Sequence, residues 1–378
     1  MSPPTLISDI FDLIVDHLHD QPKTLRACCL VSKEWVTRAR QHLFACVIFY
    51  LDRQIKSWMA AYPDISNSPA CYVRTLFVFD NVSIIAACES PPTWLHQFCR
   101  VKSFGMGDLG LIAHPILVSF VQLHGFSPTL THLHIFFLST PLSEIVNLIC
   151  SFPLLEVLIL QGVTTQGDAD ERGTPSTSPR LTGSLHVLDL TPSVIRGLLG
   201  FPNGLHFAKI VASCPVESTK SVVDLISSCS DTLESLTVGF NSLSLFSFAS
   251  VVSKYLTPAV APRPLVLSEV VKLKDVELKC IGLNVQWITT TLRTAKPTNL
   301  RKITISITSP DRLVNPVGEM VRREWRDVDY LLDQLWASDS VLPEIMYEES
   351  ETANGLGESV RSLLPELASK GVVNPCTK

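Results

Sequence analysis

The sequence predicts an α+β/α/β protein of two unequal parts: a three-helix module over residues 1–46, then an irregular solenoid of parallel strands with outer helices over 47–310, closed by a helical cap over 311–378. Three observations lead there. Apolar residues recur at helical spacing between Leu6 and Phe44. A hexad of the form Leu-x-x-Leu-x-(Leu/Val/Ile) returns at seven places beyond residue 70. Amphipathic helical stretches and turn residues separate these hexads. At 378 residues the chain has room for one small module beside a larger domain.

The first element runs from Leu6 to Leu18, where Leu6, Ile7, Ile10, Phe11, Leu13, Ile14, Val15 and Leu18 are apolar and Asp9, Asp12 and Asp16 fill the remaining arc. Ser8 is a candidate cap, with Asp9 and Asp12 in the first turn, where negative charge suits the helix dipole. A second helix follows His19–Gln21. Pro22 fits its first turn, and Leu25, Ala27, Cys28, Cys29 and Leu30 follow. Ser32 then caps a third helix carrying Trp35, Val36, Ala39, Leu43 and Phe44. A module this small buries only a modest core, yet the first helix is apolar around a wide arc. Some of that surface needs a partner, either the rest of this chain or another protein.

Three blocks carry a resemblance: Leu6-Ile7-Ser8-Asp9-Ile10-Phe11-Asp12-Leu13-Ile14, then Leu25-Arg26-Ala27-Cys28-Cys29-Leu30-Val31-Ser32-Lys33-Glu34-Trp35, then Arg40-Gln41-His42-Leu43-Phe44. Together they resemble the F-box, whose pattern runs Leu-Pro-x-x-Ile/Leu, then Leu-Val-Ser/Cys-Lys/Arg-x-Trp, then Arg-x-x-Leu-(Phe/Trp). The sequence departs from it at Ile7, where the family has proline, although Pro3 and Pro4 lie just upstream. The resemblance implies docking onto a Skp-type adaptor and, through it, onto a cullin-RING ligase of the SCF type. By position the adaptor contacts would be Leu6, Ile10, Leu13 and Ile14 on the first helix, and Leu30, Val31 and Trp35 around the second junction. The alternative for each is an internal core contact, which competes most strongly at Ile14 and Trp35.

The hexads are Val73–Val78, Leu130–Ile135, Leu155–Leu160, Leu185–Leu190, Leu233–Val238, Leu273–Leu278 and Leu300–Ile305. Alternation within each places apolar side chains on one face of a short strand. Several spacings are about 25 to 30 residues, the length of a leucine-rich repeat with a helical return segment. Others are longer, so the repeats are degenerate or carry insertions. Leu142–Ile149 and Val222–Ile226 read as short packed helices between strands. Residues 164–184, rich in Gly, Pro, Ser and Thr, read as a flexible insertion, and 257–267 as a second loop. In the cap, Trp325–Trp336 reads as an amphipathic helix, Pro343–Tyr347 as a possible last strand and Val360–Leu367 as a final helix stopped by Gly371. The competing architecture is an ordinary α/β domain with a parallel sheet.

Composition narrows the function. The net charge of −5 and the pI of about 6.1, with both signs scattered, argue against nucleic acid or an anionic membrane as partner. Mean hydropathy is +0.27, but the richest apolar stretches, Leu43–Leu51 and Leu111–Leu123, fall short of the roughly 20 residues of a membrane span. The N-terminus has no secretory pattern, so an intracellular address, cytoplasm and/or nucleus, is expected. The eleven cysteines form no C-x-x-C pair and read as small buried hydrophobes.

Gly105-Met106-Gly107-Asp108-Leu109-Gly110 matches a dinucleotide-type glycine motif, but Pro115 interrupts the helix it needs, so a turn between repeats is the better reading. His124, His132 and His134 could approach one another, with no carboxylate or cysteine placed to complete a metal site. No other catalytic signature is visible, and no cofactor or metal is expected.

The expected function is therefore the substrate-recognition subunit of an SCF-type ubiquitin ligase, non-catalytic itself, holding an unknown protein target on the repeats through side chains such as Arg74, His132, His134, Glu156, His186 and Glu234. The alternatives are a repeat scaffold unconnected with ubiquitination and an α/β enzyme using the glycine-rich turn.

Overall fold

The structure is a computed structural model, and it describes residues 6–79, 93–107, 129–165, 180–201, 203–241, 263–281, 285–295, 300–308, 319–339, 342–348 and 356–376. The chain is mixed α/β with parallel sheet, in two compact units: Met1–Leu158 with Gln166–Pro179, and Ile159–Thr165 with Arg180–Lys378.

The first unit opens with helices α1 (Leu6–His17), α2 (Pro22–Val31) and α3 (Lys33–Leu43). Val15, Leu25, Cys28 and Ala39 form their core, with Leu18, Cys29, Trp35 and Leu43 packed around it. Pro22 occupies the first turn of α2, and the Ser32 hydroxyl accepts the Glu34 N–H at 3.2 Å to start α3. Since α1 begins at Leu6, Ser8 stands inside the helix rather than ahead of it.

Four strands follow: β1 (Cys46–Phe49), β2 (Thr75–Phe79), β3 (Ser103–Gly107) and β4 (His132–Phe136), each parallel to the next in chain order. Helix α4 (Asp52–Ala61) connects the first two. In register, Val47, Leu76, Phe104 and Leu133 form one buried row, and Phe49, Val78, Met106 and Ile135 the next. Buried Trp94 and Phe98, with half-buried Trp58, extend that core, with Phe49 5.9 Å from Trp94 and Trp58 5.7 Å from Phe98 between ring centres. Beyond β4 come β5 (Ser139–Thr140), α5 (Leu142–Cys150), β6 (Val157–Gln161) and β7 (Thr164–Thr165).

In the second unit β8 (Leu181–Leu188), β9 (Leu205–Pro215), β10 (Ser235–Asn241), β11 (Asp275–Ile281), β12 (Lys302–Thr308), β13 (Leu342–Glu348) and β14 (Val373–Cys376) lie side by side, parallel and in chain order. Helices α6 (Pro192–Leu199), α7 (Thr219–Ser228), α8 (Val285–Arg293), α9 (Glu319–Asp339), α10 (Leu356–Leu363) and α11 (Pro365–Ser369) fill the connections.

A backbone device repeats at the strand starts. The Ala45 carbonyl accepts both the Arg74 and Thr75 N–H groups (2.8 and 2.9 Å), the Arg74 carbonyl those of Lys102 and Ser103, the Lys102 carbonyl those of Thr131 and His132, and the Thr131 carbonyl those of Glu156 and Val157. In the second unit Glu234 does the same for Lys274 and Asp275, and Lys274 for Arg301 and Lys302. One carbonyl serving two successive donors bends the chain into the strand while leaving neither N–H orphaned. The first apolar residue of six of the seven hexads therefore sits ahead of the strand: Val73, Leu130, Leu155, Leu233, Leu273 and Leu300 are all buried, two residues before β2, β4, β6, β10, β11 and β12 begin.

Four expectations need correction. The hexad Leu185–Leu190 is out of frame: the strand is Leu181–Leu188, Leu185 and Val187 point inward, and half-buried Leu188 does not. The ends of the 164–184 insertion are strand, Thr164–Thr165 and Leu181–Ser184, with Gly183 at φ 87° beside a register shift; residues 166–179 lie outside the described ones. Gly105 and Gly107 lie within β3 rather than in a turn, while 108–110 lie outside the described residues. In the 311–378 cap the strand expected at Pro343–Tyr347 is present as β13, but it is not the last, because β14 continues the sheet beyond α11.

Candidate functional site

The positions matching the F-box pattern divide in the folded module. Ile10, Leu13, Ile14, Leu30 and Val31 are 50, 60, 43, 89 and 70% exposed. Ile10, Leu13 and Ile14 share one face of α1 by their spacing, and Leu30 and Val31 end α2. Trp35 is half-buried and packs on the module's own core and on Phe11, 5.4 Å between ring centres, so for this residue the internal contact is present. Leu6 is the first residue of α1; its side chain lies outside the described ones.

What turns that face outward is a polar clamp on the next residues of α1. Asp16 accepts two hydrogen bonds from the Arg38 guanidinium, both 2.6 Å, and meets His42 Nε2 at 2.7 Å, while Val15 beside it is buried in the core. These hydrogen bonds hold the Asp16 carboxyl well below the usual carboxylate range and raise Arg38. With Val15 and Asp16 committed to α2 and α3, Ile14, Leu13 and Ile10 are left to solvent. The exposed part of these five side chains amounts to about three whole ones, so covering them is worth ~5–9 kcal/mol before the costs of association.

The six side chains proposed from sequence for target binding are scattered. Arg74, Glu156 and Glu234 sit in the turns just before β2, β6 and β10, whereas His132, His134 and His186 lie on strands. His132 Nδ1 is 2.8 Å from Thr131 Oγ1, and His134 Nε2 is 3.2 Å from Ser103 Oγ. Glu234 pairs with Lys274 at 2.6 Å, which lowers its pKa. Burial, with Lys209 nearby, lowers that of His186. His186 and Glu234 belong to the second unit, the other four to the first.

The open sheet face of the second unit is paired within itself. Glu277 accepts from Thr237 (3.1 Å) and Ser306 (2.6 Å), and Glu344 from Thr304 (3.2 Å) while bonding Lys302 (2.6 Å). The first unit differs, and the sequence reading missed why. On the face opposite its buried rows, half-buried Phe77, Phe79 and Phe136 join exposed Tyr50. Tyr50 and Phe79 stack at 5.6 Å, Phe77 and Phe79 at 6.1 Å, and Phe136 lies 5.8 Å from Phe79. The Gln54 side chain fixes the chain as it leaves β1 by accepting the Tyr50 and Leu51 N–H groups. The signal was present in the x positions of the hexads, where Phe77 and the residues just past Val78 and Ile135 are aromatic.

The glycine motif has a steric origin. A Cβ on Gly105 would overlap the ring of Phe77, and one on Gly107 would come within 2.6 Å of the Phe136 carbonyl oxygen. Gly105 is the floor under the Phe77 ring and Gly107 the floor under the Phe136 backbone, and no phosphate cradle is formed by them. Burial pushes the Cys150 thiol up to about 11 and Cys214 to about 12, so both are poor nucleophiles at neutral pH. Among the described residues no helix is long and apolar enough to cross a membrane, and no group of three or more His, Cys, Asp or Glu could hold a metal ion. No protein-family model matches the chain, and a search of curated proteins finds no significant match, so the F-box resemblance rests on residues 6–44 and their geometry.

Proposed function

We propose that the chain is the substrate-recognition subunit of an SCF-type E3 ubiquitin ligase: residues 6–44 are an F-box that docks a Skp-type adaptor and through it a cullin-RING ligase, and the strands beyond are degenerate leucine-rich repeats that hold a protein target. One observation carries the reading. The module owns a core built from Val15, Leu25, Cys28 and Ala39, yet keeps Ile10, Leu13, Ile14, Leu30 and Val31 in water at the positions that match the family's adaptor contacts. A small module that exposes so much apolar surface gains by covering it with another protein. The repeated double-acceptor turn and the in-register buried rows support the repeat assignment.

A scaffold unconnected with ubiquitination is the second reading. In its favour, α3 lies against the Pro69–Tyr72 turn, so the module is docked on its own unit through that helix. It requires Leu13 and Leu30 to serve the chain's own interior, and both are exposed. Co-purification with a recombinant Skp-type adaptor separates the two. The intact chain retains the adaptor and a Leu13→Asp, Leu30→Asp variant with an unchanged circular dichroism spectrum loses it, by about 100-fold or more in Kd, since each carboxylate would be buried unpaired. A folded intact chain that does not bind the adaptor ends the ligase reading.

A further inference from the structure

The first unit carries another surface, remote in the sequence from the exposed residues of α1 and α2. Tyr50, Phe77, Phe79 and Phe136, with exposed Ile48, line the face of β1 to β4 opposite its buried rows, and Gly105 leaves β3 bare so that the Phe77 ring lies close to the sheet. Sheet faces turned to water ordinarily alternate to polar residues, as half-buried Glu277 and Glu344 do in the second unit. At the starts of β2 and β3 stand exposed Arg74, Arg100 and Lys102. Arg74 Nη1 donates to the Arg100 carbonyl at 3.4 Å, and none of the three forms an ion pair among the described residues.

Aromatic side chains beside a basic rim that has no ion-pair partner among the described residues fit an acidic and apolar ligand. We infer that this face binds an extended peptide segment of the target protein, with a carboxylate at the Arg74/Lys102 rim and large apolar side chains over the Phe77 and Phe79 rows. The spacing follows from the register. Lys102 precedes Gly105 by three residues and Gly107 by five, as Arg74 precedes Phe77 and Phe79. At about 3.3 Å per residue these rows lie about 10 and 17 Å from the rim, and because only alternate side chains of an extended peptide share a face, a peptide running along the strands matches them with acid-x-x-x-apolar-x-apolar. The inference deepens the proposed function and rests on it for the consequence of binding, ubiquitination, though not for the binding itself.

The test uses the full chain and a synthetic peptide array, each peptide about 12 residues with Asp or Glu four positions before a Phe-x-Leu pair in a Gly/Ser background, and a matching set with Lys in place of the acid. Fluorescence anisotropy on the best acidic peptide is then repeated with Tyr50→Ser and Lys102→Glu chains. Both residues are exposed, so both variants keep the circular dichroism of the parent. The expected result is binding of the acidic set alone, about tenfold weaker with either substitution, and transfer of the Lys102→Glu chain's preference to the Lys set. If no array peptide binds, or if binding survives either substitution, the inference is overturned. The Leu13→Asp, Leu30→Asp chain reports separately: it keeps the peptide and loses the adaptor, and an intact chain that binds peptide without adaptor would end the ligase reading while leaving this one standing.

Discussion

Replacing Gly105 by alanine tests the packing of the aromatic face through a change of sign. A strand glycine is worth roughly 0.5–1 kcal/mol less than alanine, so on propensity alone Gly105→Ala stabilises. The added Cβ, however, would overlap Phe77 Cδ1 and Cε1, and the ring is stacked between Phe79 and the edge of His134 (6.1 and 5.4 Å), which limits its escape. Overpacking of this kind costs about 1–3 kcal/mol and outweighs the propensity gain. Removing the ring removes the clash, so in a Phe77→Ala background the same Gly105→Ala substitution stabilises by about 0.5–1 kcal/mol. Thermal denaturation of the four chains of this double-mutant cycle reads the difference, at roughly 2–4 °C per kcal/mol for a unit of this size. Equal effects of Gly105→Ala in both backgrounds would refute the claim that the ring lies over the glycine. Gly107→Ala behaves differently: its Cβ meets the Phe136 backbone oxygen at 2.6 Å as well as Phe136 Cβ at 2.8 Å, so Phe136→Ala does not rescue it.

Asp16→Ala removes both hydrogen bonds from Arg38 and the contact with His42; with these side chains about a third exposed, the loss is about 1–2 kcal/mol, seen as faster amide exchange in α1 and weaker adaptor binding. Because the folded pKa of Asp16 lies below its unfolded value, the clamp's contribution is complete above about pH 4 and is lost as pH falls below that, so α1 protection declines under acid in the parent chain and not in the Ala variant. Asp329 on α9 is buried and accepts the Glu366 and Leu367 N–H groups (2.9 and 3.0 Å), starting α11; Asp329→Ala costs about 2 kcal/mol and raises exchange across residues 365–376. Burial raises its pKa, so the pH-dependent part of its contribution is complete below the unfolded pKa and is lost as pH rises through the folded one, while the two accepted hydrogen bonds remain. Asp329→Asn, which keeps an acceptor oxygen, retains α11 and flattens that dependence in a pH series of melting curves.

Much of the strand order was legible because the buried row demands apolar volume at fixed intervals, and where leucine, isoleucine or valine meets that demand, as at Leu130–Ile135 or Leu273–Leu278, the hexad stands out. The same demand is met in β1 by Val47 and Phe49, in β3 by Phe104 and Met106 with Val101 just ahead of it, and in β9 by Phe207, Ile210 and Ala212, and there a leucine-centred pattern is silent although the residues are buried alike. β14 was hidden for another reason. Pro375 argues against a strand in general, but β14 is the last strand of its sheet, and an edge needs no N–H on its outer side. Glycines in β3 read as a loop motif because their causes, the Phe77 ring on one adjacent strand and the Phe136 backbone on the other, lie outside any local window. The exposed face of α1 shows the same division. Periodicity reveals that the apolar arc is too wide for one small core, and it treats Ile14 and Val15 alike. Only the Asp16 clamp to Arg38 and His42, made across 22 and 26 residues, decides that Val15 goes in and Ile14 stays out. The surplus of apolar surface was therefore written in the sequence, and the choice of which residues to spend on a partner was made by a tertiary ion pair.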